Sequence, residues 1–441
     1  MKSIFAKMML AALLLAAAPA LAGPVLMISV DGLRPADVIE AEKSGVAVPN
    51  LRHMMAVGAY AEGVTGVLPT LTYPSHTTLV TGVAPARHTI GNNLTFDPLN
   101  INQVGWYWYG EDIKAPTLWG AAHAAGLVTA NIHWPVSVAA SADYNLPQIW
   151  RTGHEDDRKL MRALATPGLL PALETKLGPY AQGIDESVEG DENRVRFAAE
   201  LIAEKKPAFT TVYLASVDHE EHAFGPGSPQ ALAAIARNDA MIGRLVAAAR
   251  AAEPDLTVVV VSDHGFQPVA TDINLIAPFV AAGLVTFDAN GKITDWQAEP
   301  WFMGGSAGVV LKRPDDPALV GKVRALLDGL KADPEMGISA ILDRNAIAKM
   351  GGSTLSSFLI AFRPGFEPGH DPRAAKQTPS TYKGMHGYLP SEPSMRSSLF
   401  VEGPGLHRHG NLGQIDMRAI APSVARILGV TFDSAELPAA F

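Results

Sequence analysis

The 441-residue chain contains no cysteine. Disulfides, thiolate metal ligands, a cysteine nucleophile and a lipid-modified cysteine anchor are thereby excluded. An exported chain of this kind would depend on its core, and on any bound metal, for stability. Beyond the N-terminus no apolar run reaches membrane-spanning length. Long basic runs are absent too, and the net charge is −9, which argues against a general polyanion-binding or nucleic-acid-binding surface. There is no internal repeat, and nothing in the pattern speaks to oligomeric state.

What is present starts with a leader. Lys2 and Lys7 precede the apolar stretch Met8–Leu15, and Ala20-Leu21-Ala22 precedes Gly23. This pattern predicts a secretory signal peptide over residues 1–22, hence a periplasmic or secreted protein without a membrane anchor. With 48% apolar residues, the remaining chain can bury a sizeable core.

Short β-branched runs alternate with helical patterns. Strands are predicted at Val25–Val30, Val128–Ile132, Thr210–Ala215, Leu256–Val261 and Ser398–Glu402. Helices are predicted near Ala36–Glu42, Ala115–Ala125, Glu192–Lys205 and Asp416–Leu428, and over Ser228–Ala252, where Ser228 is the N-cap and Pro229 the first helical residue. Such alternation implies an α/β fold with a doubly wound, mostly parallel central sheet flanked by helices. Between about residues 304 and 368 the texture changes. Ala307–Leu311, a helix Pro317–Ala332, Ile338–Leu342 and Ser357–Ala361 read as a small α+β insertion in one main domain spanning 23–441.

Three apolar runs stop on aspartates: Asp31, Asp218 and Asp263. The last two carry histidines, as Asp218-x-x-x-His222 and Asp263-His264. In open α/β sheets ligands bind off the carboxyl ends of strands. Carboxylates and imidazoles gathered there have the donor set of a divalent metal site, zinc first. Asp218 and His222 are read as loop residues because Gly225-Pro226 follows; an Asx-turn with a solvated histidine is the bland reading. His386 adds an imidazole between glycines that permit tight backbone. Pro69–Gly82 reads as a loop feeding a helix, whose N-terminus favours an anion. Thr72 there is an alkoxide nucleophile if a metal lowers its pKa, and a simple N-cap otherwise.

These residues resemble the alkaline phosphatase superfamily and, within it, the nucleotide pyrophosphatase/phosphodiesterase (type I phosphodiesterase) family. The resemblance rests on Val30-Asp31-Gly32, Thr72-Tyr73-Pro74-Ser75-His76 with Thr81-Gly82, Asp218 to His222 with Gly225-Pro226, and Ser262-Asp263-His264-Gly265 with His386-Gly387-Tyr388. It implies an alkaline-phosphatase-like fold and a metal-dependent phosphoric ester hydrolase with two Zn2+ per chain. Thr72 would be the nucleophile. Asp31, Asp263 and His264 would hold one zinc beside it, and Asp218, His222 and His386 the other. Asn93 would donate to a phosphoryl oxygen. His76 would brace the loop, while His219, His370, His407 and His409 would be ordinary exposed histidines. Two zincs flanking a phosphoryl group can hold both oxygens of an in-line displacement, giving a covalent phosphothreonine intermediate.

The implied substrate is a small phosphate ester or nucleotide, cleaved at a phosphodiester or phosphoanhydride bond. Tyr73 occupies the family's aromatic position, and Trp150 lies downstream of Trp134-Pro135. Facing each other, the two could stack a nucleobase, although core packing is the competing reading of Trp150. Three departures bear on the leaving-group side: Ser75 stands for the usual asparagine, Thr77 for an aromatic, and Val136 for glycine. A phosphate monoesterase of the same superfamily is the alternative, with Arg151 as its extra cation. From another class, an exported binding protein with a dead site would lack a ligand or Thr72, and none is missing.

Overall fold

The computed structural model describes residues 23–102, 105–150, 156–180, 185–369 and 371–441. The predicted signal peptide 1–22, together with Arg151 and His370, lies outside the described residues.

Eight strands form the central sheet: β1 Val25–Val30, β2 Ala59–Tyr60, β3 Thr129–Ile132, β4 Tyr144–Leu146, β5 Phe209–Leu214, β6 Thr257–Val261, β7 Leu399–Glu402 and β8 Gly410–Asn411, in the order β8-β2-β7-β6-β1-β5-β3-β4. β1 pairs in parallel with both β5 and β6, and β5, β3 and β4 continue in parallel. β7 runs antiparallel to β6 and β2. The period of two in these strands sends side chains to two cores. Leu26, Ile28, Val212, Leu214, Val258 and Val260 face one; Val25, Met27, Val259 and Val261 face the other.

Each face is covered by helices. Helix α1 (Thr72–Thr81) and the segment Ile420–Leu428 pack on one side through Leu79, Val80, Ile420 and Val424. Helices α2 (Val188–Lys205), α3 (Ser216–Phe224) and α4 (Pro229–Ala252) cover the other through Phe197, Leu201, Val217, Ile242 and Leu245. α4 begins as its cap signal predicts: the Ser228 side chain accepts the Ala231 N–H, and Pro229 opens the helix.

Two sequence expectations are corrected. Asp218 does not end a strand, and Asp218 to His222 is not a loop: β5 stops at Leu214, and both residues lie on α3. The strand predicted over Thr210–Ala215 ends at Leu214, and the helix that begins at Ser216 places Val217 in the core. Thr72 is not an N-cap either; Leu71 holds that place and Thr72 is the first helical residue.

A second, antiparallel sheet has the order Ala298–Phe302, Ser306–Leu311, Ser356–Phe362, Ile338–Asp343. Helix Pro317–Ala332 packs on it through Leu319, Val323 and Leu327. The sheet thus begins at Ala298, ahead of Gly304. Its core continues into Val269, Ile273 and Phe279, beside the strand Gln267–Asn274 that pairs with Gly384–Met385. That pairing delivers His386 to the rim of the main sheet.

Phe197 is fully buried between α2 and the sheet. Phe197→Ala is expected to lower the unfolding free energy by about 3–5 kcal/mol, measured by denaturant titration followed by circular dichroism. A loss below about 1 kcal/mol would show that this contact does not hold α2 to the sheet.

Candidate metal centre and nucleophile

The carboxyl ends of β1 and β6 lie side by side, because Ser29 and Val261 are register partners. Asp31 follows β1 directly, and Asp263 follows β6 by one residue. The Gly32 N–H donates to Asp263 Oδ1 at 3.1 Å, tying the two ends together. Gly32 has φ +75°, a conformation that glycine adopts without strain. His264 Nε2 lies 3.3 Å from Asp31 Oδ1 and 3.1 Å from Asp263 Oδ2. These three residues form one group able to hold a metal ion.

The second group comprises Asp218, His264 and His386. His222 stands at its edge, its Nε2 3.5 Å from the same Asp218 Oδ1 that His386 Nε2 approaches to 3.7 Å. The expected partition into two separate trios is therefore closer than the sequence implied. His264 belongs to both groups, and its ring stacks on His386 with centroids 3.6 Å apart. Gly387 lets the backbone beside His386 pack against Met303, since a Cβ there would stand 1.9 Å from the Met303 carbonyl oxygen.

Second contacts set the imidazole tautomers. His222 Nδ1 faces the Gly384 carbonyl at 3.0 Å and His386 Nδ1 the Thr70 carbonyl at 3.1 Å. A carbonyl only accepts, so each Nδ1 carries the proton and each Nε2 keeps its lone pair toward Asp218. Tyr213, which reads as a core residue of β5, donates its hydroxyl to Asp31 Oδ2 at 2.5 Å. Asp31 Oδ1 is left unpartnered, as are Asp218 Oδ1 and Asp263 Oδ2.

The electrostatics follow. Burial, then the Asp263 charge, raises the Asp31 pKa well above the carboxylate range. Burial, then Asp31, raises Asp218 likewise, and burial lifts Asp263 to about 7. Burial also lowers His222 to about 4 and pushes His264 and His386 well below the ordinary imidazole value. The imidazoles are thus neutral, as ligation requires, while the carboxylates face one another without protein countercharge. A divalent cation fits this donor set: it would meet the orphaned oxygens and favour their ionised form.

Thr72 Oγ1 lies 3.4 Å from His264 Nε2, at the first turn of α1. His76 braces this turn. Its Nδ1 donates to the Thr72 carbonyl at 2.8 Å, and its Nε2 accepts from Ser29 Oγ at 2.8 Å. Asn93 Oδ1 accepts the Tyr73 N–H at 2.9 Å. That bond orients the amide and leaves its NH2 group as a donor.

Tyr73 and Trp150 do not form the anticipated open slot. They are only 1% and 4% exposed, and their rings meet edge-on at 60°. Trp106 contacts both rings, at 5.3 and 4.7 Å, and the Tyr73 hydroxyl donates to Gln148 at 2.8 Å. The aromatic surface open to the centre lies elsewhere. A cavity of about 390 Å³ beside Asn93, His222 and His386 is walled by Phe96, Trp106, Trp301 and Tyr382. Asp97, Asp272, Glu299 and Glu367 also line it. None of these carried a motif, because their proximity arises from four separate chain segments. Glu221, in a segment read as a loop, carries no motif of its own, yet it is fully buried on α3 with Arg34 Nε 3.5 Å away. His219, His407 and His409 are exposed as expected.

Comparison with known proteins accords with this geometry. A family model for type I phosphodiesterase / nucleotide pyrophosphatase matches residues 25–389. Human (Homo sapiens) ectonucleotide pyrophosphatase/phosphodiesterase family member 1 is 26% identical over 256 residues, covering 55% of this chain and 24% of that protein. Venom phosphodiesterase of Naja atra is 25% identical over 260 residues, covering 56% and 26%. The match thus spans about a quarter of these curated relatives. Among solved structures, human ectonucleotide pyrophosphatase/phosphodiesterase 5 superposes with a TM-score of 0.66 at 19% identity, over 92% of this chain and 95% of that one. An inactive form of the murine protein in complex with AMP gives 0.67 at 20% identity, over 95% and 96%. The fold is alkaline-phosphatase-like.

If a cation offsets the buried carboxylates, stripping metal with a chelator should lower the thermal midpoint. Restoring Zn2+ at about 1,000 times its Kd should return about 4 kcal/mol of stability. A midpoint indifferent to both treatments would contradict the cation reading.

Proposed function

Because the chain belongs to the type I phosphodiesterase/nucleotide pyrophosphatase family, we propose that it is an exported, di-zinc phosphoric ester hydrolase. It would cleave phosphodiester or phosphoanhydride bonds of nucleotide-like substrates through a phosphothreonine intermediate. The observation that carries this reading is the convergence of unpartnered Asp31, Asp218 and Asp263 oxygens with three neutral imidazoles around the Thr72 hydroxyl.

Asp31, Asp263, His264 and Thr72 would hold one ion, and Asp218, His222 and His386 the other. When bound, zinc would lower the pKa of the Thr72 hydroxyl and offset charge on the departing oxygen. Thr72 Oγ1 forms the bond to phosphorus as the bond to the leaving oxygen breaks. Water then cleaves the threonyl ester and regenerates the hydroxyl. Asn93 holds a phosphoryl oxygen through its amide NH2. The Tyr73 N–H is already committed to Asn93, and Pro74 has none. The Thr72 N–H, at the first turn of α1, would be the backbone donor, and the helix dipole would add to its effect.

The cavity supports a diester over a monoester. A monoesterase needs a cationic side chain for the additional phosphoryl oxygens, and no lysine or arginine lines the cavity among the described residues. Aromatic walls suit an organic substituent instead. In this reading a nucleoside packs against Trp106 and Tyr382, while Tyr73 and Trp150 support Trp106 from behind.

Thr72→Ala should retain the fold and lose at least about 1,000-fold in kcat; full activity would eliminate the covalent route. Hydrolysis of a nitrophenyl nucleotide diester should exceed that of nitrophenyl phosphate in kcat/KM. A monoester preference of about 100-fold, roughly 2.7 kcal/mol, would overturn the diesterase assignment.

A further inference from the structure

Helix α3 carries Asp218 and His222, yet it cannot cap itself. Ala215 occupies its N-cap and has no side-chain acceptor. The first N–H groups are met from another element. Asp191 of α2 accepts the Ala215 N–H through Oδ1 and the Ser216 N–H through Oδ2, both at 2.9 Å. Asp191 is fully buried, where an unpaired carboxylate would be costly. Arg194, one turn along α2 and equally buried, donates to Asp191 Oδ1 at 2.6 Å and to the Asp185 carbonyl at 2.7 Å. Asn238 of α4 fixes the same helix end, donating to Ser216 Oγ at 2.8 Å.

We propose that the buried Asp191–Arg194 pair is a positioning device for the second metal group: it supplies the cap that α3 lacks and thereby sets where Asp218 and His222 stand. This rests on the two-metal reading above. Asp218 is the third residue of α3, so any shift of the capped end moves its carboxylate directly. A negative charge here also meets the positive end of the helix dipole. The opposite end is held by the strand leading to His386, through the Lys383 N–H to the His222 carbonyl at 2.8 Å. Asp31 and Asp263, in contrast, follow the strands β1 and β6 and do not stand on the helix that Asp191 caps. The device therefore bears most directly on the group containing Asp218, and reaches the other through the shared His264.

The test is competitive Zn2+ titration of metal-free protein against a chromophoric chelator, with folding checked by circular dichroism. The binding step abolished by His386→Ala identifies the second group. Asp191→Asn should weaken that step by about 10–100-fold and the other step by clearly less. Asn238→Ala, which loosens the same helix end with a smaller perturbation, should weaken the same step preferentially and serves if the first variant does not fold. Equal affinities in variant and parent, or equal weakening of both steps, would overturn the positioning role while leaving the two-metal reading intact. A parent protein that binds fewer than two ions would overturn both.

Discussion

The structure is organised around buried carboxyl groups for which the protein supplies no countercharge, so that burial raises their pKa values. Asp31, Asp218 and Asp263 present unpartnered oxygens to one another at the sheet rim, and the nearest side chains are neutral imidazoles. Such an arrangement is unfavourable in a dry interior unless a cation is part of the folded state. Binding and folding are then linked, and the centre must be held by elements rigid enough to keep like charges close. That requirement explains why its supports are so heavily hydrogen-bonded: Tyr213 on Asp31, Gly32 on Asp263, and carbonyls behind His222 and His386.

The two candidate metal-binding groups are held in different ways. One rests on the ends of adjacent parallel strands, where register alone brings Asp31 and Asp263 together. The other is assembled from a helix and a returning loop, and its geometry depends on contacts made far from the ligands. The shared His264, stacked on His386, couples the two. The cavity beside them is aromatic and acidic, with no lysine or arginine on its described walls. Its chemistry favours an organic group over a second phosphate.

Much of this was legible in the amino-acid order. The strand ends Asp31 and Asp263, the capped helix at Ser228 and the alternating pattern behind a doubly wound sheet all arise from local rules: β-branched runs, N-cap chemistry, and period two or 3.6. Where local composition was ambiguous it misled. Thr210 to Val217 is largely apolar or β-branched but divides between a strand ending at Leu214 and a helix beginning at Ser216. Tyr73 and Trp150 were expected to face each other, yet packing against Trp106 fills the space between them. Glu221 and Asp191 carry no sequence signal at all. A glutamate or aspartate on a helix is usually solvated, and burial is a property of what packs against it.

By itself, then, the sequence determined which donors exist and their chemistry: three carboxylates, three imidazoles, a threonine at a helix start, and no thiol to compete. These follow from residue identity and short-range pattern. Only the tertiary structure decided that His264 stands within reach of both groups, that Phe96, Trp106, Trp301 and Tyr382 wall the open cavity, and that α3 takes its cap from α2. Those outcomes depend on contacts between segments separated by tens to hundreds of residues, whose cost and gain are settled when the core closes.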